Sequence, residues 1–347
     1  MFIIEQTGLA IGVCLLAMLC WGSWSNGQKI AARDKVPITL FYRDYVLGIV
    51  VWSVVMAFTL GSLGEDGRPF LEDIRKADWA MLGLALAAGV AFNLGNQLLV
   101  AGIQAAGLAI GMPVGTSIAL ILGLIMNYLA EPEGNVALLA AGGAVVVVSI
   151  ACSAFAYLKK EADSEGDEDE ADGGKTRGLL IAGSAGLANG FFFWLITSSL
   201  ASDFADPERG QLTPYTALVV FALGMVISNP LFEQILRRFA DKPEAAQLRY
   251  RDVTTRHHWV GVGSGLLWGL GMTSLLVAST EAGNAISFGI SQGATVVGVL
   301  WGLFAWKEFK GAPGPAYRWL WAMGGTYVLG VGLIVAARLG SKQELNR

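Results

Sequence analysis

The sequence holds only two histidines, adjacent at His257 and His258, and three cysteines, Cys14, Cys20 and Cys152. All three cysteines fall inside apolar runs with no paired spacing, which argues against a disulfide framework or a metal site. The histidines lie in a basic stretch and read as surface residues. No G-x-x-x-x-G-K-[ST] phosphate loop occurs, which argues against an ATP-driven pump. Charge is scarce as well. Charged residues are 15% of the chain and the net charge is −4, so no nucleic-acid partner is implied. No acids, histidines or cysteines cluster within the apolar runs, so a membrane-embedded enzyme is disfavoured and no cofactor is implied.

Apolar residues are abundant instead. They make up 54% of the chain and the mean hydropathy is +0.54, outside the range of soluble domains. About 20 apolar residues cross a bilayer as a helix, and ten such runs are present: 8–28, 38–61, 79–103, 107–129, 136–157, 178–201, 213–236, 259–279, 284–305 and 317–337. The fold class expected is an all-α integral membrane protein, multi-pass in the cell inner (plasma) membrane. The first run is no cleavable signal, because it lacks a basic n-region and leads directly into further spans. The 45 glycines are spread through the spans, where small residues let helix backbones approach closely.

The chain also repeats itself. Phe92–Ile110 aligns with Trp268–Ile286 at an offset of 176 positions without a gap, with seven of nineteen positions identical. Each copy reads as the end of one helix, a short Ala-Gly turn and the start of the next. The chain is therefore a duplicated unit. Residues 1–158 form the first five-helix repeat, 159–177 an acidic linker with eight acids between Glu161 and Asp172, and 178–347 the second repeat. The linker reads as a solvated joint between the halves, with a regulatory or cation-binding loop as the alternative. An odd number of spans per half inverts the second copy, giving a 5+5 inverted-repeat bundle with a midplane site between the halves. Seventeen lysines and arginines lie in one set of connections and seven in the other, which places both termini outside the cell. The basic loop Arg237–Arg256 is then expected along the cytoplasmic surface.

No ionisable residue sits at the centre of a span; Arg43 and Asp44 lie about one turn into the second. This absence argues against coupling through a mid-membrane carboxylate and against a charged solute. Neutral polar and aromatic residues do sit inside the spans: Trp21, Trp24 and Gln28 in the first; Asn93, Asn96 and Gln97, sharing one face, in the third; Thr116 and Ser117 in the fourth; Asn189 and Trp194 in the sixth; Trp268 in the eighth; Ser287, Ser291 and Gln292 in the ninth. Amides and hydroxyls are costly in hydrocarbon unless paired. Each could be an interhelical hydrogen bond. Together they point to a polar cavity with indole rings for stacking and amides for orientation. The candidate solute-binding set is Trp21, Trp24, Asn93, Asn96, Gln97, Thr116, Asn189, Trp194, Trp268, Ser291 and Gln292.

The segments LCWGS (19–23), GNQL (95–98), MPVGTS (112–117) and SFGISQ (287–292) resemble those of the bacterial glucose/ribose porter family, within the drug/metabolite transporter superfamily. LILGLIMNYL (120–129) and FAWKEFKG (304–311) are also similar to ureide permeases and rhamnose permeases. The resemblance covers nearly the whole chain and singles out Asn96, Gln97, Ser291 and Gln292. It implies a secondary permease for a small neutral polar solute, a monosaccharide first, with a ureide or nucleobase permease or a metabolite/drug exporter as alternatives. A coupling proton or cation is a further possible partner. Two features depart from the family pattern: the termini are expected outside the cell, and the acidic linker is longer.

Overall fold

The computed structural model describes residues 1–161, 172–240 and 248–345. Among them, ten helices are long and apolar enough to cross a membrane: α1 (Thr7–Arg33), α2 (Ile38–Phe58), α3 (Trp79–Ala106), α4 (Ile110–Ala130), α5 (Val136–Lys160), α6 (Thr176–Thr197), α7 (Pro214–Gln234), α8 (Thr255–Ala282), α9 (Asn284–Phe304) and α10 (Gly314–Gly340). Helices satisfy their backbone groups internally, as hydrocarbon requires. The chain is a multi-pass, all-α integral membrane protein.

Passing back and forth ten times leaves both termini on one face. That termini face also carries the loops 59–78, 131–135 and 198–213, which bond to one another and to the chain ends: Phe2 N–H donates to the Leu60 carbonyl at 2.7 Å, Gly67 N–H to Ala205 at 3.2 Å, and Asn135 N–H to Ala337 at 2.9 Å. The opposite, linker face carries the end of α5 and the start of α6. The centre of the expected acidic linker, residues 162–171, lies outside the described residues, as does 241–247 of the basic loop.

Helix packing reveals the repeat. α3 runs along α6 and α7, while α8 runs along α1 and α2. α4 packs on α6, and α9 on α1; α5 pairs with α10, and α2 with α7. Exchanging each helix for the one five places away maps this set of contacts onto itself, as an inverted repeat demands. The turns follow the same rule. Gly107 joins α3 to α4 at φ 82°, and Gly283 joins α8 to α9 at φ 86°. The two are 176 positions apart and hold a backbone conformation that side-chain-bearing residues rarely adopt. Near the middle of the bundle the helices are less regular. α1 is interrupted at Trp24, α4 carries Pro113, and α9 breaks at Gln292–Gly293.

The histidines are not free surface residues. α8 begins at Thr255, ahead of the expected 259, which brings both onto its first turn. His257 Nε2 lies 2.8 Å from Asp34 Oδ2, and His258 Nδ1 lies 2.7 Å from Asp44 Oδ2, whose other oxygen accepts from the Tyr250 hydroxyl. Arg43 forks onto Glu233 with bonds of 2.9 and 2.8 Å. The ionisable groups at the linker-face ends of α2, α7 and α8 are thus paired with one another.

On the termini face, Arg68 ties the two halves together. It donates to Asp73 at 2.9 Å and to the carbonyls of Pro207, Glu208 and Gln211, while Asp73 accepts from the Thr213 N–H and hydroxyl. Asp73 is fully buried. Removing one partner of a buried pair strands the other charge, at a cost of about 3–5 kcal/mol. Asp73→Ala is expected to lower the thermal unfolding midpoint of the detergent-solubilised protein sharply, and an unchanged midpoint would show that the tie is dispensable.

Candidate functional site

Two glycines allow the halves to meet closely. A methyl group at Gly95 on α3 would fall 2.6 Å from Asn189 Oδ1 on α6, and one at Gly271 on α8 would fall 2.7 Å from Trp21 Cδ1 on α1. Gly95 and Gly271 are repeat counterparts, so Asn189 and Trp21 occupy counterpart places as well, 168 positions apart. Gly22 and Gly190 follow them in register.

Beside these crossings lies a cavity with two connected lobes. The deep lobe, of about 180 Å³, is lined by Trp21, Trp24, Asn96, Thr116, Asn189, Trp268, Ser291 and Gln292, together with Phe92, Phe192 and smaller residues. The outer lobe, of about 350 Å³, shares Trp24, Asn96, Leu99 and Met112 as common wall and continues past Gln28 and Gln104 to Lys29 and Tyr157. It therefore opens toward the linker face. No Asp, Glu, Lys, Arg or His lines the deep lobe. Among the described residues, no group of three or more His, Cys, Asp or Glu is gathered as metal ligands.

The structure brings eight of the eleven expected residues to this cavity and places three elsewhere. Asn93 and Gln97 face α7: Asn93 Nδ2 donates to Ser228 Oγ at 2.8 Å and to the Met225 carbonyl at 3.2 Å, and Gln97 Nε2 donates to Asn93 Oδ1 at 3.0 Å and Asn229 Oδ1 at 3.1 Å. They do not share a face with Asn96. Successive residues turn about 100° along a helix, so Phe92, Asn96 and Leu99 line the cavity while Asn93 and Gln97 form the adjacent stripe. Repeat symmetry supports this role: Thr273, the counterpart of Gln97, accepts from Trp52 Nε1 of α2 at 2.9 Å across the symmetry-related helix pair. Trp194 is turned away, packing against Phe191. Phe192, three residues after Asn189, takes the cavity position instead.

The polar inventory of the deep lobe is uneven. Thr116 returns its hydroxyl to the Met112 carbonyl at 2.9 Å, and Ser291 returns its own to Phe288 at 2.7 Å. Asn96 Nδ2 donates to the Tyr42 hydroxyl at 3.2 Å. Trp21 Nε1 and Asn189 Oδ1 are buried without a partner, one a donor and the other an acceptor. Such atoms are costly to leave unpaired. Trp268 offers the cavity little ring face, because it is stacked between Trp21 at 5.5 Å and Phe221 at 5.7 Å. It holds Trp21 in place from below.

At the mouth, Lys29 Nζ bonds Glu308 Oε1 at 2.5 Å, and the Tyr157 hydroxyl donates to Glu308 Oε2 at 2.9 Å. Burial alone would raise the Glu308 pKa, but Lys29, Tyr157 and Lys160 outweigh it and hold the carboxyl below its ordinary value. The ion pair therefore persists through neutral pH and is lost only as pH falls through that depressed value.

Fold and cavity together define an inverted-repeat membrane protein with a small uncharged pocket at the crossing of its halves. The comparisons with known proteins agree with this class. The ureide permease family model matches residues 41–172. Ureide permease 1 of Arabidopsis thaliana is 23% identical over 97% of this chain and 99% of its own length. The "Putative sugar uptake protein" of Lactiplantibacillus plantarum is 19% identical over 87% of this chain and 90% of its own. A solved crystal structure superposes with a TM-score of 0.65 at 13% identity, covering 96% of this chain and 99% of that one, which shows the shared fold.

The amide ladder between α3 and α7 separates packing from binding. Gln97→Ala is expected to lower stability by about 1–3 kcal/mol, because it leaves Asn93 and Asn229 short of a donor, while solute affinity stays unchanged. A weakened affinity at unchanged stability would move Gln97 into the site.

Proposed function

We propose that the chain is a secondary permease of the drug/metabolite transporter superfamily, belonging with the ureide permeases, and that it moves a small neutral solute by alternating access between its two repeats. Residues 1–158 and 178–347 are the moving units, joined by 159–177. The proposed solute is a ureide or a similar flat cyclic amide. The observation that carries this reading is a deep lobe lined without charge, beside which the Trp21 donor and the Asn189 acceptor are buried without a partner. A ureide carbonyl can accept from the indole N–H, and a ureide N–H can donate to the asparagine oxygen. Trp24, Phe92 and Phe192 supply apolar ring surface beside them, and Asn96, Thr116, Ser291 and Gln292 supply further polar contacts. At about 180 Å³ the deep lobe is smaller than the roughly 300–1,000 Å³ of drug-sized sites, which suits a single ring. The similarity to plant ureide permeases over nearly the full chain supports the same class. A monosaccharide is the second reading, favoured by the similarity to sugar uptake proteins. The greater lysine and arginine content of the linker face supports its placement in the cytoplasm, with the termini outside.

Uptake into proteoliposomes tests the substrate. Radiolabelled allantoin is expected to enter and to be displaced by uracil better than by any monosaccharide of a panel; the reverse ranking would replace the ureide by a sugar. A neutral hydrogen bond is worth roughly 0.5–1.5 kcal/mol. Trp21→Phe, which keeps the ring and removes the N–H, and Asn189→Ala are each expected to weaken apparent affinity about threefold to tenfold. Acceleration of uptake by an imposed proton gradient would establish proton coupling, and indifference to it would remove the proton from the partners.

A further inference from the structure

The cavity is open at one end only, and the repeat register shows what closes each end. Toward the termini face, α4 packs against the first half of α9, Asn284–Ser291, and has no comparable packing along the second half, Ala294–Phe304. The centre of the sealed contact is Phe288 on Gly123. A methyl group at Gly123 would fall 2.1 Å from Phe288 Cε1, so the ring lies directly on the α4 backbone. Phe193 stacks on Phe288 at 5.2 Å and Phe192 meets its edge at 6.4 Å. All three rings are buried.

Moved by the 176-residue offset, Gly123 falls on Val299 and Phe288 falls on Met112. Moved by the 168-residue offset that relates α1 to α6, Phe192 falls on Trp24 and Phe193 on Ser25. These four counterparts, Trp24, Ser25, Met112 and Val299, all line the outer lobe that opens to the linker face. One set is collapsed into a plug, and its images stand apart around an opening.

We propose that Phe288 and Met112 are the two gate residues of the molecule. Phe288 seated on Gly123 seals the termini face in the state observed. In the alternate state Met112 docks between Val299 and Ser25 to seal the linker face, while Phe288 leaves Gly123. The α4–α9 pair thus closes at one end as it opens at the other, pivoting near Pro113 and the α9 break at Gln292–Gly293. The inference rests on the alternating-access reading and deepens it.

Thiol chemistry tests the gates without any solute. In a chain carrying Cys14→Ala, Cys20→Ala and Cys152→Ala, Ala119→Cys places a reporter in the deep lobe, and a membrane-impermeant thiol reagent is applied to right-side-out and inside-out vesicles. The reporter is expected to react from the linker face and to be protected from the termini face. Phe288→Ala should raise reaction from the termini face at least about tenfold, and Phe288→Leu, which keeps bulk, should raise it less. A Phe288→Ala protein that melts normally and remains protected overturns the termini-face gate. For the other gate, mild oxidation should cross-link Met112→Cys to Val299→Cys, as it should link Leu124→Cys to Gly289→Cys at the sealed contact. Cross-linking of the second pair but never of the first overturns the Met112 assignment. A chain that passes both tests yet takes up no ureide keeps its gates and loses only its assigned substrate.

Discussion

The structure depends on two backbone crossings, α3 over α6 at Gly95 and α8 over α1 at Gly271. In a bilayer there is no hydrophobic drive to press helices together, so close packing of small residues supplies the contact. Both crossings join one half of the chain to the other, and each brings a polar side chain, Asn189 or Trp21, hard against a helix backbone. There it is held in place while its polar atom stays unpaired. The same contacts that fasten the halves therefore leave one donor and one acceptor buried without a partner beside the cavity. A larger residue at either glycine would push the halves apart and move the binding groups with them.

Charge is confined to the two faces. The termini face is bound by Arg68 and Asp73 and by Arg338, which pairs with Glu133 and donates to the Glu281 carbonyl. The linker face is bound by the pairs of Arg43, Asp44, His257, His258 and Lys29. Between them, the deep lobe is lined by neutral residues alone among those described. A charged solute would enter the deep lobe without a counter-ion and meet the desolvation cost of a buried charge. On the proposed reading, a neutral amide trades water hydrogen bonds for those of Trp21 and Asn189 at little net cost, and selection for uncharged solutes then needs no dedicated filter.

Much of this was legible in the chain. Ten helices, their order and the inversion follow from apolar length and an odd span count, because hydrocarbon permits little else. The Gly107 and Gly283 turns and the Phe92–Trp268 correspondence follow from the repeat. Helix rotation was less visible. A polar residue inside a span reads the same whether it faces a cavity or a neighbouring helix, so Asn93 and Gln97 were grouped with Asn96 although α7 claims them. Trp194 stands among the expected site residues, yet the spacing from Asn189 puts the Phe192 ring in the wall. The counterpart of Trp268 gave a usable signal for Phe92. Nothing local marked His257 and His258 as partners of Asp34 and Asp44, since those contacts span more than two hundred residues.

The duplication relates the two ends of the bundle by a pseudo-two-fold rotation, but it does not make them equal. Each half ends its fourth helix near an acid: Glu131 after α4 on the sealed face, Glu308 after α9 at the open mouth. Burial and the neighbouring Glu133 push the Glu131 carboxyl up, with Arg338 opposing, and Glu131 accepts from Asn284 at the start of α9. Glu308 is held down by Lys29 and Tyr157, which anchor it to α1 and α5 rather than to α4. On the sealed face the acid therefore ties α4 to α9, whereas at the mouth Glu308 ties the end of α9 to α1 and α5 and not to α4. The two acids are not in strict register, since Glu131 moved by 176 positions falls on Lys307, and they make different contacts at the two faces. The halves share a backbone plan and differ in these contacts, so the asymmetry of the two ends lies in side chains rather than in backbone architecture.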